Sequence, residues 1–201
     1  MLEKLKIKTK FVDGLRVSDI ETVAVAEMVL SGAINKSIVQ AINDAGGRAV
    51  GLSGRDANLI TATQKDSTLG FTGTPEATDI SVLNVLTSAE PGFIPVISPI
   101  SSGNDGNFYN VNADTAAGIL AGALKASRLM LLTDVEGVMD NDKNLLTDLS
   151  IDDAEILIEE GVAKAGMIPK LKTAIDSISR GVKAVVILDG RKPHGLLVEL
   201  F

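Results

Sequence analysis

Two amides and a carboxylate at alternating positions, Asn110, Asn112 and Asp114, are the clearest group in the sequence that could act together. If the chain is extended up to residue 112, these side chains point to one side. The apolar spacing over residues 116–124 predicts a helix that begins at or just after Asp114. A helix N-terminus attracts anions, so the group could bind an anionic ligand. The alternative is that the three side chains only cap the helix and close a turn.

Two cations are also placed where an anion could bind. Arg16 lies just upstream of a predicted helix over residues 19–30, and its planar guanidinium suits a carboxylate. Lys170 follows Pro169 in the first turn of another predicted helix. A cation there opposes the helix dipole by roughly 0.3–1 kcal/mol, a cost that a bound anion removes. The alternatives are an ordinary surface ion pair for Arg16 and a solvated side chain for Lys170.

Composition excludes several classes of protein. The 201 residues carry a net charge of −7, no cysteine, one histidine, five phenylalanines and one tyrosine. The lack of cysteine excludes disulfides and thiolate metal sites, and one histidine cannot build a multi-histidine site. An acidic chain with few aromatic residues is not typical of nucleic-acid binding. The strongly apolar runs have strand length and no secretory signal is present, so we expect a cytoplasmic protein without a membrane span.

Strand and helix patterns alternate along the chain, which predicts an α/β protein with a mainly parallel sheet. The continuous apolar run at residues 129–132 predicts a strand buried on both faces. Ser18 and Glu21 form a predicted capping box for the helix that should stop at Gly32, and Ser150 and Asp153 are predicted to cap a later helix. Further strands are expected at residues 10–12, 48–52, 93–98 (stopped by Pro99), 184–188 and 196–201, with small antiparallel strands between 59 and 78, and further helices near 34–45, 79–91, 150–160 and 169–178.

Seven motifs together resemble the acetylglutamate kinases of the amino-acid-kinase family. They occupy residues 10–17, 50–54, 94–100, 109–114, 131–135, 166–170 and 189–191. The resemblance implies a three-layer αβα sandwich. It also implies a cytoplasmic homo-oligomer that transfers a phosphoryl group from ATP to the side-chain carboxylate of N-acetyl-L-glutamate, a step of arginine biosynthesis.

The resemblance assigns roles to individual residues. Arg16 would hold a carboxylate of acetylglutamate, and Asn110 would hydrogen-bond the same substrate. Asp114 would orient the catalytic lysines, and Lys170 would neutralise charge on the transferring phosphoryl group. The segments that match nucleotide-binding positions are Asp134, Val135, Glu136, Gly137, Val138, Met139, Val162, Ala163 and Lys164. Mg²⁺ would arrive with ATP, bound mainly by phosphates rather than by a protein site.

The sequence also departs from the family pattern. The family's Lys-x-Gly-Gly-Ser and His-Gly-Gly-Gly-Pro loops and its glycine-rich tail have no counterpart here. We therefore expect a single partial, N-terminally truncated domain over residues 1–201, with an acetylglutamate-binding portion (1–100) and a nucleotide-binding portion (101–201). We expect little or no kinase activity from it alone. The alternatives are a non-catalytic nucleotide-binding or oligomerising module, and a kinase for an acylated aminoadipate.

Overall fold

The computed structural model describes residues 10–12, 15–163 and 166–200. Its contacts divide the chain into two compact units, Met1–Ala116 and Ala117–Phe201. Of the sequence predictions, the site residue Lys164 lies outside the described residues.

The first unit combines a hairpin, a long helical segment and a five-stranded sheet. Its strands are β1 (Lys10–Val12), β2 (Leu15–Val17), β3 (Ala49–Gly54), β4 (Ile60–Gln64), β5 (Thr72–Thr78), β6 (Ile94–Ser102) and β7 (Phe108–Val111). Its helices are α1 (Ile20–Glu27), α2 (Asn35–Asp44) and α3 (Ser81–Ser88), with α4 (Ala113–Ala123) beginning at the end of the unit and short 3₁₀ turns at Asp56–Asn58 and Ser67–Leu69.

The five-stranded sheet has the order β3-β6-β4-β5-β7 and contains both parallel and antiparallel pairs. β3 and β6 are parallel, while β4 and β5 form the small antiparallel pair predicted from the sequence. β7 pairs with the end of β6 antiparallel and with the start of β5 parallel. The start of β5 and the carboxyl end of β6 are thus on either side of the segment that carries Asn110.

β6 is longer than predicted, because Pro99 does not end it. The strand runs from Ile94 to Ser102, and the register against β3 shifts between the pairs Ser53–Ser98 and Gly54–Ser101. Proline lacks an N–H and is tolerated in a sheet at a bulge, where a backbone bond is missing in any case.

The first helical segment also differs from the prediction, since it does not stop at Gly32. A π-helical stretch, Met28–Ile34, joins α1 to α2 without a break. The N-cap is Asp19, whose carboxylate accepts a hydrogen bond from the Thr22 N–H at 2.7 Å. Ser18 is instead buried and forms a bridge with Gly70. The prediction failed because Ser18 and Asp19 are both capping residues and the sheet contact that removes Ser18 is long-range.

Among the described residues, this combined helix, Ile20–Asp44, is the one segment long and apolar enough to span a membrane, judged by length and composition alone. The expectation that apolar runs have only strand length is therefore wrong for this segment. Its buried Asn35 donates hydrogen bonds to the carbonyls of Leu52 in β3 (3.1 Å) and Val96 in β6 (2.8 Å). These bonds fix the helix to the sheet of the first unit.

The second unit is built on two parallel strands and three further helices. The elements are β8 (Leu129–Thr133), α5 (Ile151–Glu159), α6 (Ile168–Ser179), β9 (Val185–Asp189) and α7 (Gly195–Leu200). Ser150 and Asp153 form the predicted capping box of α5. Leu129 and Leu131 are buried, but Leu132 is 47% exposed, so the prediction that the run is buried on both faces is wrong.

The predicted last strand, residues 196–201, is also wrong where the structure describes it. Gly195–Leu200 forms the short helix α7, which begins after a positive φ of 62° at His194. The N–H groups of Leu197 and Val198 both bond to the His194 carbonyl. A helical turn satisfies its own backbone groups, whereas a strand needs a partner. The alternation of the other elements confirms the predicted α/β class.

Candidate functional site

Arg16 lies in β2 and its backbone carbonyl is the centre of a hydrogen-bond network. The Ser18 hydroxyl donates to this carbonyl at 3.2 Å, and the Thr72 hydroxyl donates to it at 2.5 Å. Ser18 is fully buried and Thr72 is 3% exposed. Two hydroxyls that donate to one carbonyl in a buried position hold the β2 backbone in place, because breaking either bond would leave a buried polar group unsatisfied.

Asn110 in β7 joins the same network. Its side-chain N–H₂ donates to the Ser18 hydroxyl at 3.4 Å, and its backbone N–H donates to the Phe71 carbonyl at 2.9 Å. In the parallel β5–β7 pair, Asn110 is the register partner of Thr72. The structure therefore brings together the two residues predicted to bind substrate, Arg16 and Asn110, although they are far apart in sequence.

Asn112 has a different role from Asn110. Its side-chain oxygen accepts from the Thr115 N–H at 3.1 Å, and its carbonyl accepts from the Ala116 N–H. Asn112 therefore caps α4, as the capping alternative predicted. Asp114 is half-buried in the first turn of the same helix. Asp114 therefore lies at the start of a helix, as the apolar spacing predicted.

In the second unit, polar groups gather where β8 and β9 end. Thr133 and Asp189 are register partners, and the Gly190 N–H donates to the Thr133 carbonyl at 2.9 Å. The Arg191 guanidinium donates two hydrogen bonds to Asp189, each 2.9 Å long. These bonds lower the pKa of the buried Asp189 carboxyl from 3.8 to about 2. The turn after β9 is thereby fixed beside the first predicted nucleotide-binding residue, Asp134.

An ion pair and a close packing contact involve the segment from Asp134 to Met139. The Lys192 ammonium pairs with the Glu136 carboxylate at 2.8 Å. Gly137 has a φ of 155°, and a Cβ there would lie 2.8 Å from the Leu145 side chain. A side chain at position 137 would therefore require the Leu145 side chain to shift.

The two predicted nucleotide-binding segments meet in one hydrophobic cluster. Val138 and Ala163 are buried against Leu171 of α6 and Ala154 of α5. Lys170 directly precedes Leu171 and lies, half-buried, in the first turn of α6 after Pro169. The cluster therefore places the start of α6 next to both segments and confirms the helical position predicted for Lys170.

No group of three or more histidine, cysteine or acidic side chains that could hold a metal ion occurs in the described part of the chain. The oxygen donors near the predicted nucleotide segments, such as Asp134 and Glu136, are exposed side chains. This set fits an ion that is held largely by a bound nucleotide.

Sequence reasoning gave no role to several residues that organise these sites. Thr72 belongs to a polar, turn-rich stretch without any marked pattern, and nothing in the sequence distinguishes it. Ser18 was predicted to cap a helix, and nothing in the sequence indicated its contact with Asn110. Asp189 and Arg191 were part of a family motif but received no function. Their spacing, two residues apart in a turn after a buried strand, could have indicated the ion pair.

Comparison with known proteins gives the family. The model of the amino acid kinase family matches residues 1–189. A protein of Rhodospirillum centenum named acetylglutamate kinase is 53% identical over all of this chain and 70% of its own length. The solved structure of smu.665 from Streptococcus mutans superimposes with a TM-score of 0.84 at 26% identity, over 94% of this chain and 76% of its own.

A second solved structure extends the comparison. The N-acetylglutamate synthase of Neisseria gonorrhoeae, complexed with coenzyme A and N-acetyl-glutamate, gives a TM-score of 0.85 at 26% identity, over 99% of this chain and 46% of its own. These findings confirm the amino-acid-kinase-like fold predicted from the motifs. The chain belongs to the amino acid kinase family, and it is by that membership a phosphotransferase.

Proposed function

We propose that this protein has the substrate specificity of an acetylglutamate kinase, whose reaction transfers the γ-phosphoryl group of ATP to the side-chain carboxylate of N-acetyl-L-glutamate in arginine biosynthesis, and that these 201 residues alone have little or no kinase activity. The observation that carries the proposal is the network in which Arg16 and Asn110 converge on Ser18 and Thr72. The 53% sequence identity, over the whole of this chain, to a protein named acetylglutamate kinase supports the choice of substrate.

Each proposed role follows from the chemistry of the group. Arg16 binds a carboxylate of the substrate through its guanidinium, and Asn110 donates or accepts a hydrogen bond from its amide. A carboxylate nucleophile is already ionised at neutral pH, so it needs no general base. Catalysis then depends on positioning and on neutralising charge, which we assign to Lys170, with Asp114 orienting the catalytic lysines.

We assign nucleotide binding to the second unit. The positions are Asp134, Val135, Glu136, Gly137, Val138, Met139, Val162 and Ala163, together with Lys164. The hydrophobic cluster of Val138, Ala163 and Leu171 supports this assignment, because it connects both segments to the helix of Lys170. Mg²⁺ would arrive with ATP as part of that substrate and would supply neutralisation of the phosphate charge. Acetylglutamate binding belongs in this proposal to the first unit, Met1–Ala116.

We further propose a cytoplasmic homo-oligomer. Ile20, Met28, Ile34 and Ile38 of the long helix are all 45% exposed or more, which favours burial against another copy. The bonds from Asn35 to β3 and β6 favour a helix that belongs to the folded domain over one that inserts into a membrane. Light scattering after size-exclusion chromatography measures the oligomer size and would contradict the proposal if only monomer is found.

Calorimetric titration of the protein with N-acetyl-L-glutamate and, separately, with MgATP tests the function. We expect both ligands to bind, and we expect N-acetyl-L-glutamine, which lacks the side-chain carboxylate, to bind at least about tenfold more weakly. Arg16→Gln should weaken N-acetyl-L-glutamate binding while Arg48→Gln, a control in the same unit, should not. Binding of MgATP without N-acetyl-L-glutamate would overturn the proposal and favour a nucleotide-binding module.

A further inference from the structure

We propose that Thr72 and Ser18 are positioning residues for substrate binding, which act by holding the Arg16 backbone and the Asn110 amide in one fixed arrangement. This inference rests on the proposed function and adds to it two residues that would not themselves touch the substrate. It starts from the burial of both hydroxyls and from the carbonyl that they share.

The first step is the directionality of the bonds. The hydroxyls of Thr72 and Ser18 each have one proton, and each donates it to the Arg16 carbonyl. The lone pairs of the Ser18 oxygen then accept from the Asn110 side chain. A hydroxyl that donates a hydrogen bond becomes a better acceptor. The bond from Asn110 to Ser18 and the bond from Ser18 to the Arg16 carbonyl therefore strengthen each other.

The second step is what these bonds restrain. β2 is three residues long and its described strand partner is the equally short β1, so few backbone bonds fix it. Thr72 is the first residue of β5 and pairs with Asn110 of β7. Thr72 therefore connects a weakly held strand to the five-stranded sheet at the level of Asn110. A side chain on β2 loses orientational freedom when its own carbonyl is anchored, which lowers the entropy lost on binding a ligand.

The third step concerns the closure of the network. The Ser18 N–H donates to the Leu69 carbonyl at 3.1 Å and its carbonyl accepts from the Phe71 N–H at 2.6 Å. Both backbone groups of Ser18 are thus also bound to the residues that precede Thr72. The N–H, the carbonyl and the hydroxyl of Ser18 are therefore all hydrogen-bonded. Because these bonds connect Arg16, Asn110 and the residues next to Thr72, we expect a change at Thr72 to affect Arg16 and Asn110 together.

Thr72→Val tests the inference, since valine keeps the branched shape but removes the donor. We expect the Kd for N-acetyl-L-glutamate, measured by calorimetry, to rise about five- to tenfold, with the Kd for MgATP changed less than about twofold. Thr72→Ser restores the donor and should restore the affinity. Thr61→Val is the matched control, because the Thr61 hydroxyl also donates to a strand carbonyl, that of Ala77, within the same sheet.

The outcomes separate this inference from the function on which it rests. If the unsubstituted protein does not bind N-acetyl-L-glutamate, the proposed function fails and the inference fails with it. If it binds and Thr72→Val binds equally well, or if Thr72→Val weakens both ligands alike, the positioning role is overturned and the proposed function stands. Ser18→Ala removes the other donor and tests the network should Thr72→Val not fold.

Discussion

Gly70 lies directly against Ser18. A Cβ built on Gly70 would be 2.4 Å from the Ser18 carbonyl oxygen, and Gly70 has a φ of 63°, a conformation that side chains disfavour. Glycine therefore permits both the turn before β5 and the bridge between this turn and the end of β2. Ser18 can lie this close to the turn that precedes Thr72 only because residue 70 has no side chain.

Replacing Gly70 with alanine should lower the free energy of unfolding by about 2–4 kcal/mol, because backbone strain and a steric collision with a backbone atom add together. Urea denaturation followed by circular dichroism measures the change. Gly106→Ala is the control, since Gly106 has a φ of 81° but nothing within 4 Å of its would-be Cβ. It should cost only about 1 kcal/mol. Equal costs at the two positions would show that the contact with Ser18 is unimportant.

Asn35 should be intolerant of a change to aspartate. Its side-chain N–H₂ donates to two strand carbonyls from a buried position, and a carboxylate has no donor and would repel both oxygens. We expect Asn35→Asp to lower the free energy of unfolding by about 3 kcal/mol or more. In the control, Asn43→Asp, the side-chain oxygen accepts from the Ala49 N–H, a role that aspartate retains. That variant should change stability by less than about 1 kcal/mol; a similar loss in both would contradict the donor argument.

The Asp189–Arg191 ion pair should make stability depend on acid pH. The folded pKa of Asp189, about 2, lies below the ordinary value of 3.8, so the pair stabilises the fold fully above about pH 4 and progressively less as the pH falls towards 2. The difference in Tm between the unsubstituted protein and Asp189→Asn should therefore be larger at pH 6 than at pH 3. Arg191→Gln removes the same pair and should show the same trend. A difference that is constant with pH would refute this account.

Lys170 should determine how well the protein binds the terminal phosphate of ATP. If its ammonium neutralises the transferring phosphoryl group, Lys170→Gln should weaken MgATP binding about tenfold while MgADP binding changes little. Titration calorimetry with both nucleotides measures the ratio. Lys172→Gln, two residues further along α6 and exposed, is the control and should leave the ratio unchanged. Equal loss of ATP and ADP affinity would assign Lys170 a general electrostatic role instead.

Local signals in the sequence predicted most of the elements correctly. The apolar runs bounded by turn residues marked β3, β8 and β9, and the capping box at Ser150 marked the start of α5. Errors arose where a distant partner decides the outcome. Pro99 is accommodated by a bulge against β3. Ser18 and Asp19 are both typical N-cap residues, and Asp19 caps the helix because Ser18 forms the bridge with Gly70.

The candidate site shows the same division. Chemical type and position marked Arg16, Asn110, Asp114 and Lys170 as candidates in the sequence, and their roles in binding and catalysis stay predictions. The proximity of Arg16 to Asn110 was not predictable, because it follows from the order of strands in the sheet and from Thr72, whose stretch has no distinctive pattern. The sequence placed Asn112 in the same group as Asn110. In the structure Asn112 caps α4, whereas the Asn110 side chain donates to Ser18.

The bulge at Pro99 has a consequence for how β6 tolerates insertions. Before it, β6 pairs in parallel with β3; after it, Ser101 still pairs with Gly54 of β3, and Ile100 is in addition the antiparallel partner of Asn110. A single residue inserted between Ser98 and Ser101 would leave the pairs from Ala49–Ile94 to Ser53–Ser98 in place. It would move the β6 residues after it by one position relative to β7 and turn their side chains to the opposite face of the sheet.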